Sequence, residues 1–139
     1  MSFSHDDSAR LLVTCSDDET VKVWDVHDER IQRSTHYHDH KVRTCDMSSF
    51  NSAIVLSGAE DCTMKLYDMR NSNCLLCSYP ESKYPIADVS FHPANDYLIT
   101  NCSVDGVIRV YDCRTNQKLM QWVHEGGVNS VSYHVGGRY

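Results

Sequence analysis

Residues 11–26 read LLVTCSDDETVKVWDV. A short apolar run, Leu11 to Val13, leads through a small and polar stretch into Ser16-Asp17-Asp18, and an alternating segment follows. In that segment Val21 and Val23 share one face and Lys22 and Trp24 the other. Successive side chains of an extended chain point to opposite faces, so a two-residue period rich in branched and aromatic residues predicts β-strand. Aspartate and serine supply the turn, because their short side chains bond to backbone amides two residues on.

The same sentence is written twice more, as IVLSGAEDCTMKLYDM at 54–69 and LITNCSVDGVIRVYDC at 98–113. The turn aspartates Asp18, Asp61 and Asp105 are 43 and 44 residues apart. The pairs Trp24-Asp25, Tyr67-Asp68 and Tyr111-Asp112 keep the same two intervals. Two independent landmarks on one period exclude an accident of composition. Further turn formers fall between the runs, among them Asn71-Ser72-Asn73, His92-Pro93-Ala94-Asn95 and Arg114-Thr115-Asn116. No segment sustains a 3.6-residue apolar period, so no helix is expected.

The bulk properties fit a soluble chain. At 139 residues it has the size of one modest domain, 41 % hydrophobic and 23 % charged. The formal charge of −6 argues against non-specific binding to nucleic acid or anionic membrane, since both require a basic surface. No apolar run approaches the roughly 18 residues that cross a bilayer. The N-terminus, MSFSHDDSAR, has neither the charge nor the apolar stretch of a targeting peptide. Seven cysteines at irregular spacing are read as reduced thiols rather than a disulfide framework.

A period of 40–45 residues, four short strands per unit and a closing Trp-Asp pair together resemble the WD40-repeat β-propeller family, over essentially the whole chain. The likeness is strongest in Thr14-Cys15-Ser16-Asp17-Asp18 through Val23-Trp24-Asp25, and in Val89-Ser90-Phe91-His92-Pro93. Tyr67 and Tyr111 stand where the family has tryptophan. The expected fold is all-β: about three blades of four antiparallel strands, with partial blades at both ends. The units run approximately over 1–39, 40–83 and 84–123, and a further unit starts at 124–139. A propeller closes with about four to eight blades, so a fragment of a longer propeller, or a chain closing by assembly, is expected.

The resemblance also implies a buried polar network in each blade, joining a histidine, the turn aspartate, a strand Ser or Thr and the aromatic residue. Asp39-His40 and Val123-His124 lie where the family has its Gly-His pair, so His40 is assigned to Ser57, Asp61 and Tyr67. A tyrosine cannot reproduce the indole N–H, and a bridging water is expected there. The first blade offers Thr14, Asp18 and Trp24. The third offers Asn101, Asp105 and Tyr111 without a histidine and should be the weaker one. His124 would serve the following unit. Trp24 and Trp122 are expected to be buried.

Two finer likenesses bear on function. Residues 118–134, KLMQWVHEGGVNSVSYH, resemble the centriolar (basal-body) WD-repeat proteins, implying a scaffold in centriole or cilium assembly. Tyr67-Asp68-Met69-Arg70 and Tyr111-Asp112-Cys113-Arg114 form aromatic-Asp-x-Arg boxes, which resemble those of substrate receptors of cullin-4 ubiquitin ligases. An arginine after the third strand is also simply an exposed charge.

Other chemistry fits less well. His36-Tyr37-His38-Asp39-His40 places three histidines on one face of an extended strand, as a zinc or copper site would, but no cysteine pair completes it. Cys74-Leu75-Leu76-Cys77 is a lone C-x-x-C without the second pair of a zinc ribbon or the helix of a redox motif. No glycine-rich phosphate loop and no nucleophile elbow is present. The expectation is a non-catalytic scaffold that binds other proteins through its loops, without cofactor, metal or small-molecule substrate. Candidate contacts are Tyr37, His38, Lys41, Glu60, Lys83, Tyr84 and Glu125 on one edge, and Arg70 and Arg114 on the other. The expected location is cytoplasmic, at the centrosome or cilium base, with the nucleus left open.

Overall fold

The structure, a computed structural model, describes residues 2–3, 11–35, 38–71 and 73–134. These residues form twelve strands and no helix. The first sheet comprises β1 (Ser2–Phe3), β2 (Leu11–Cys15), β3 (Val21–Asp25) and β4 (Arg30–Thr35). The second comprises β5 (Val42–Met47), β6 (Ile54–Ala59), β7 (Met64–Asp68) and β8 (Leu75–Tyr79). The third comprises β9 (Ile86–Phe91), β10 (Leu98–Ser103), β11 (Val107–Asp112) and β12 (Gln117–Val123). Each is an antiparallel meander whose strands pair in sequence order. The three sheets are three blades of a β-propeller, the architecture that the repeat predicts.

The recurring residues recur in structure because each does one geometric job. The aspartates of the second-to-third-strand turns accept from the backbone amide two residues on: Thr20 to Asp18 at 3.1 Å, Thr63 to Asp61 at 3.0 Å, Val107 to Asp105 at 3.4 Å. The next residue is left-handed every time: Glu19 at φ 69°, Cys62 at 65° and Gly106 at 90°. Only Gly106 meets backbone there, since a Cβ would lie 2.4 Å from the carbonyls of His124 and Gly126. The aspartate after each aromatic closes the following turn in the same way, at His27, Arg70 and Arg114.

One irregularity also repeats. The third and fourth strands slip register between Val23 and Trp24, between Leu66 and Tyr67, and between Val110 and Tyr111. The extra residue falls on the outer strand, at Gln32, Leu76 and Leu119. A bulge at one place in every blade sharpens the twist that lets the blades fan out.

The blades bury their faces on each other. One apolar cluster, with Val13, Val21, Val23, Val42, Met47 and Val55, fills the seam between the first and second sheets. Another, with Leu56, Leu66, Ile86, Val89, Ile99 and Tyr111, fills the seam between the second and third. The middle sheet is covered on both sides, so β6 and β7 read as nearly continuous buried runs. The first strands β5 and β9 lie side by side. Phe91 N donates to Asp46 at 2.8 Å, and Thr44 Oγ1 donates to Asp88 at 2.7 Å. Ser130 Oγ and Val131 N reach the other oxygen of Asp88 at 2.8 and 3.0 Å. Thr44, Asp88 and Ser130 hold equivalent repeat positions, so one polar rung runs from blade to blade. Trp122 departs from expectation: it is 50 % exposed, because β12 is the outermost strand of the third sheet and no sheet packs on it within the described residues.

Candidate interaction surface and the networks behind it

The blade network exists, but its histidine is His38 and not His40. His38 Nδ1 lies 2.8 Å from Asp61 Oδ2, and its Nε2 lies 2.7 Å from Ser57 Oγ. An ionised carboxylate only accepts, so Nδ1 donates to Asp61. Tyr67 meets Ser57 Oγ directly, at 3.3 Å. His40 is exposed. The difference is a turn: Asp39 N also bonds Asp61 Oδ2, at 3.2 Å, and this draws the preceding residue inward while His40 and Lys41 bulge out before β5. Burial raises the Asp61 pKa, but the bonds from His38 and Thr63 outweigh it and hold the carboxyl well below the usual carboxylate range. Both ring nitrogens of His38 are committed, so the ring is not free to ligate a metal. His36 and Tyr37 lie outside the described residues.

The first and third blades keep parts of this arrangement. Trp24 Nε1 donates to Thr14 Oγ1 at 2.9 Å, and Asp18 bonds Thr20. Hydrogen bonding by Thr20 draws the exposed Asp18 down to about 2. In the third blade Ser82 occupies the place of His38, 44 residues on, but turns its hydroxyl to the Tyr84 carbonyl at 2.7 Å. Asn101 Oδ1 and the Tyr111 hydroxyl are both buried, with Asn101 the polar side chain that acts on the phenol and no hydrogen bond of good geometry to either atom among the described residues. Burial pushes the Tyr111 phenol up to about 12. Asp105 bonds Ser103, which also accepts from Arg109 at 3.1 Å. Arg109, only 6 % exposed, is a network member that alternation conceals, since it reads as the outward residue of β11. His124 is exposed, and its backbone N donates to Gly106 O.

The loops divide between two edges. On the edge of the Asp61 turn, Lys41 pairs with Asp17 at 2.9 Å and Arg43 with Glu60 at 2.8 Å. Lys83, Tyr84 and Glu125 are exposed near the same edge. The strands run antiparallel, so the ends of β5, β7, β9 and β11 gather at the opposite edge. There Arg70 grips Asp68 with two bonds of 2.9 and 2.7 Å. Arg114 grips Asp112 at 3.2 and 2.9 Å and lies 3.5 Å over the Tyr97 ring. The Arg114 guanidinium draws Asp112 down to about 2. A groove of about 390 Å³ opens at this edge across three successive inner segments, walled by Met47, Phe91, Pro93 and Tyr133 with Asp46 and Ser49. The buried Ser49 hydroxyl there has no hydrogen-bond partner among the described residues, and Phe50 beside it is 56 % exposed. Neither Phe50 nor the groove was among the expected contacts, because a groove arises from how blades fan and leaves no periodic trace.

A family model described as the N-terminal domain of nucleolar protein 10-like proteins, a β-propeller, matches residues 2–135. The chain is 28 % identical over 120 residues to the COMPASS component SWD3 of Saccharomyces cerevisiae, covering 81 % of this chain and 38 % of that protein. It is 30 % identical over 111 residues to the U5 small nuclear ribonucleoprotein 40 kDa protein of Dictyostelium discoideum, covering 80 % and 30 %. It is 29 % identical over 145 residues to the guanine nucleotide-binding protein subunit beta of Oryza sativa subsp. japonica, covering 95 % and 38 %. The chain therefore spans well under half the length of these relatives. None of the three carries a centriolar name.

Proposed function

Because the chain belongs to the family of nucleolar protein 10-like N-terminal domains, we propose that it is a non-catalytic docking scaffold within a nuclear, nucleolar protein assembly. The observation that carries this reading is the edge where β5, β7, β9 and β11 end, which holds a groove lined by successive blades, two aspartate-gripped guanidinium groups at Arg70 and Arg114, and the exposed Phe50. Aromatic and arginine side chains on a rigid frame are the usual anchors of protein interfaces. Relatives named as a COMPASS component and a ribonucleoprotein protein belong to multi-subunit assemblies, which supports the same class of role. A hydrolytic reading of Asp61, His38 and Ser57 fails on access. Ser57 is 0 % exposed and its oxygen is backed by Tyr67, so no carbonyl can approach it.

The test is co-purification of the tagged full-length protein from cells, with imaging of its location. Phe50→Ala with Arg70→Ala and Arg114→Ala should remove partners, whereas Lys83→Ala, Tyr84→Ala and Glu125→Ala should leave them. Retention of every partner by the first set, or exclusion of the protein from the nucleus, overturns the reading. A second reading, a substrate receptor of a cullin-4 ubiquitin ligase, is favoured by the repeated Asp-gripped arginines; the same triple variant then loses the ligase adaptor specifically. The centriolar role implied by residues 118–134 would instead place the protein in centriolar or ciliary foci.

A further inference from the structure

Within the described residues no sheet covers the face of the third sheet turned away from the second. Thr100, Ile108, Val110 and Trp122 line a hollow of about 210 Å³ there, and Val131 and Tyr133 wall it on the inner side. The repeat shows what fills such a hollow. Leu56, Met64, Leu66 and Tyr79 hold the same four positions one blade earlier, and the third sheet buries them all. Val13, Val21 and Val23 hold the first three one blade before that, and the second sheet buries them. Tyr79 models the cover that Trp122 lacks. Its ring lies 4.8 Å from the Tyr111 ring of the next sheet, tilted by 51°, and its hydroxyl donates to Asn116 Oδ1 at 2.8 Å.

The first sheet is open on the opposite face. Leu12 and Trp24 are half-buried there, whereas Val55 and Tyr67, and then Ile99 and Tyr111, are fully buried at the same positions of the next two blades. Its inner strand is short as well. β1 pairs only Ser2 and Phe3 with Val13 and Leu12, so Thr14 and Cys15 have no strand partner on that side among the described residues. Residues 128–134 carry the converse feature: Val131 and Tyr133 match Val89 and Phe91 of β9, yet this segment belongs to none of the twelve strands. One end of the molecule thus offers an inner segment without a blade, and the other a blade with an incomplete inner strand. We propose that the chain pairs head-to-tail with a second copy of itself, third sheet against first sheet at both junctions, closing two sets of three blades into one ring. A two-fold axis forms both junctions at once, and the resulting blade number falls in the range of about four to eight at which propellers close. At each junction residues 128–134 of one copy pair with β2 of the other. The registers of β5 on β6 and of β9 on β10 place Tyr133 beside Leu12 and Val131 beside Thr14, so the incoming segment replaces β1 and runs past it. Trp24 then stands against Trp122 as Tyr111 stands against Tyr79.

Sedimentation velocity of the purified 139-residue chain tests this. The wild-type chain should sediment as a dimer. Trp122→Asp and, separately, Leu12→Asp should each weaken dimerisation by at least about thirtyfold, the loss expected on removing a central apolar anchor, because either change damages both junctions. An equimolar mixture of the two variants should recover a dimer, since one junction then carries both changes and the other carries neither. A dimer made through the third sheet alone behaves differently: Leu12→Asp leaves it intact and mixing rescues nothing. In the wild-type protein the amides of residues 128–133 should exchange more slowly at concentrations that give dimer than on dilution to monomer. A wild-type chain that stays monomeric leaves this face to some other partner and overturns the proposal, as does growth into open polymers or folded variants that fail to complement. Wild-type sedimentation and exchange need no variant, so a substitution that prevents folding does not protect it.

Discussion

His38 spends both ring nitrogens inside the second blade, so its removal orphans a carboxylate and a hydroxyl at once. His38→Ala should lower unfolding free energy by about 2–4 kcal/mol in urea titrations, the range for a broken buried network. His40→Ala should stay within about 0.5 kcal/mol, as exposed positions do. The pH dependence follows from Asp61. Its folded pKa is depressed, so the unfolded chain takes up a proton there first as the solution is acidified. Its stabilising contribution is complete above the ordinary carboxylate value of about 4 and is lost as pH falls through the lower folded value. Asp61→Asn should therefore flatten the dependence of the urea midpoint on pH below about pH 4. Equal slopes in both proteins would show that Asp61 is not the titrating group. Ser57, Asp61 and Tyr67 were legible in the sequence because strands and their tight turns keep a strict period. The histidine was misplaced by two residues because it sits in a connection, where backbone conformation and not spacing decides which side chain turns inward.

Strands and their order were legible from alternation and turn chemistry, because each unit repeats one local pattern. The blade seams were not, since a side chain's partner in the next sheet is far off in sequence and at no fixed interval, Asp88 for Thr44 but Ile86 for Gly58. Gly58 is the clearest case. In sequence it is one small residue in LSGAED; in the structure it is the socket for Ile86, whose Cγ2 would lie 2.4 Å from any Cβ added there. Gly58→Ala should cost about 1–3 kcal/mol through overpacking. Ile86→Ala alone should cost about 2–5 kcal/mol as a cavity. Combined, the two changes should cost clearly less than their sum, since the added methyl enters the space that Ile86 vacates. A double-mutant cycle in urea measures this, and simple additivity would mean that the seam relaxes around the alanine without help. The outer-strand bulges at Gln32, Leu76 and Leu119 were likewise invisible, because a bulge is defined by pairing with the neighbouring strand, which neither strand's own sequence records.

At the scale of the molecule, two apolar clusters are divided by the middle sheet. Val13 belongs to one and Ile99 to the other, and both are fully buried. Layers that touch only their neighbours have a stability close to a sum of blade terms and seam terms. Val13→Ala should cost about 2 kcal/mol, at about 0.8 kcal/mol for each carbon removed plus a cavity contribution. Ile99→Ala should cost about 2–5 kcal/mol. Their double mutant should equal the sum within about 0.5 kcal/mol, in contrast to the pair at Gly58 and Ile86. Coupling at the long distance as large as at the seam would mean that the three sheets unfold as one indivisible core. A second signature follows from the same layering. If the seams are separate, Val13→Ala should speed hydrogen exchange at amides of β2 and β3 before those of β10 and β11, and Ile99→Ala should reverse that order. Uniform acceleration across all three sheets in either variant would contradict the layered account, whatever the free energies sum to.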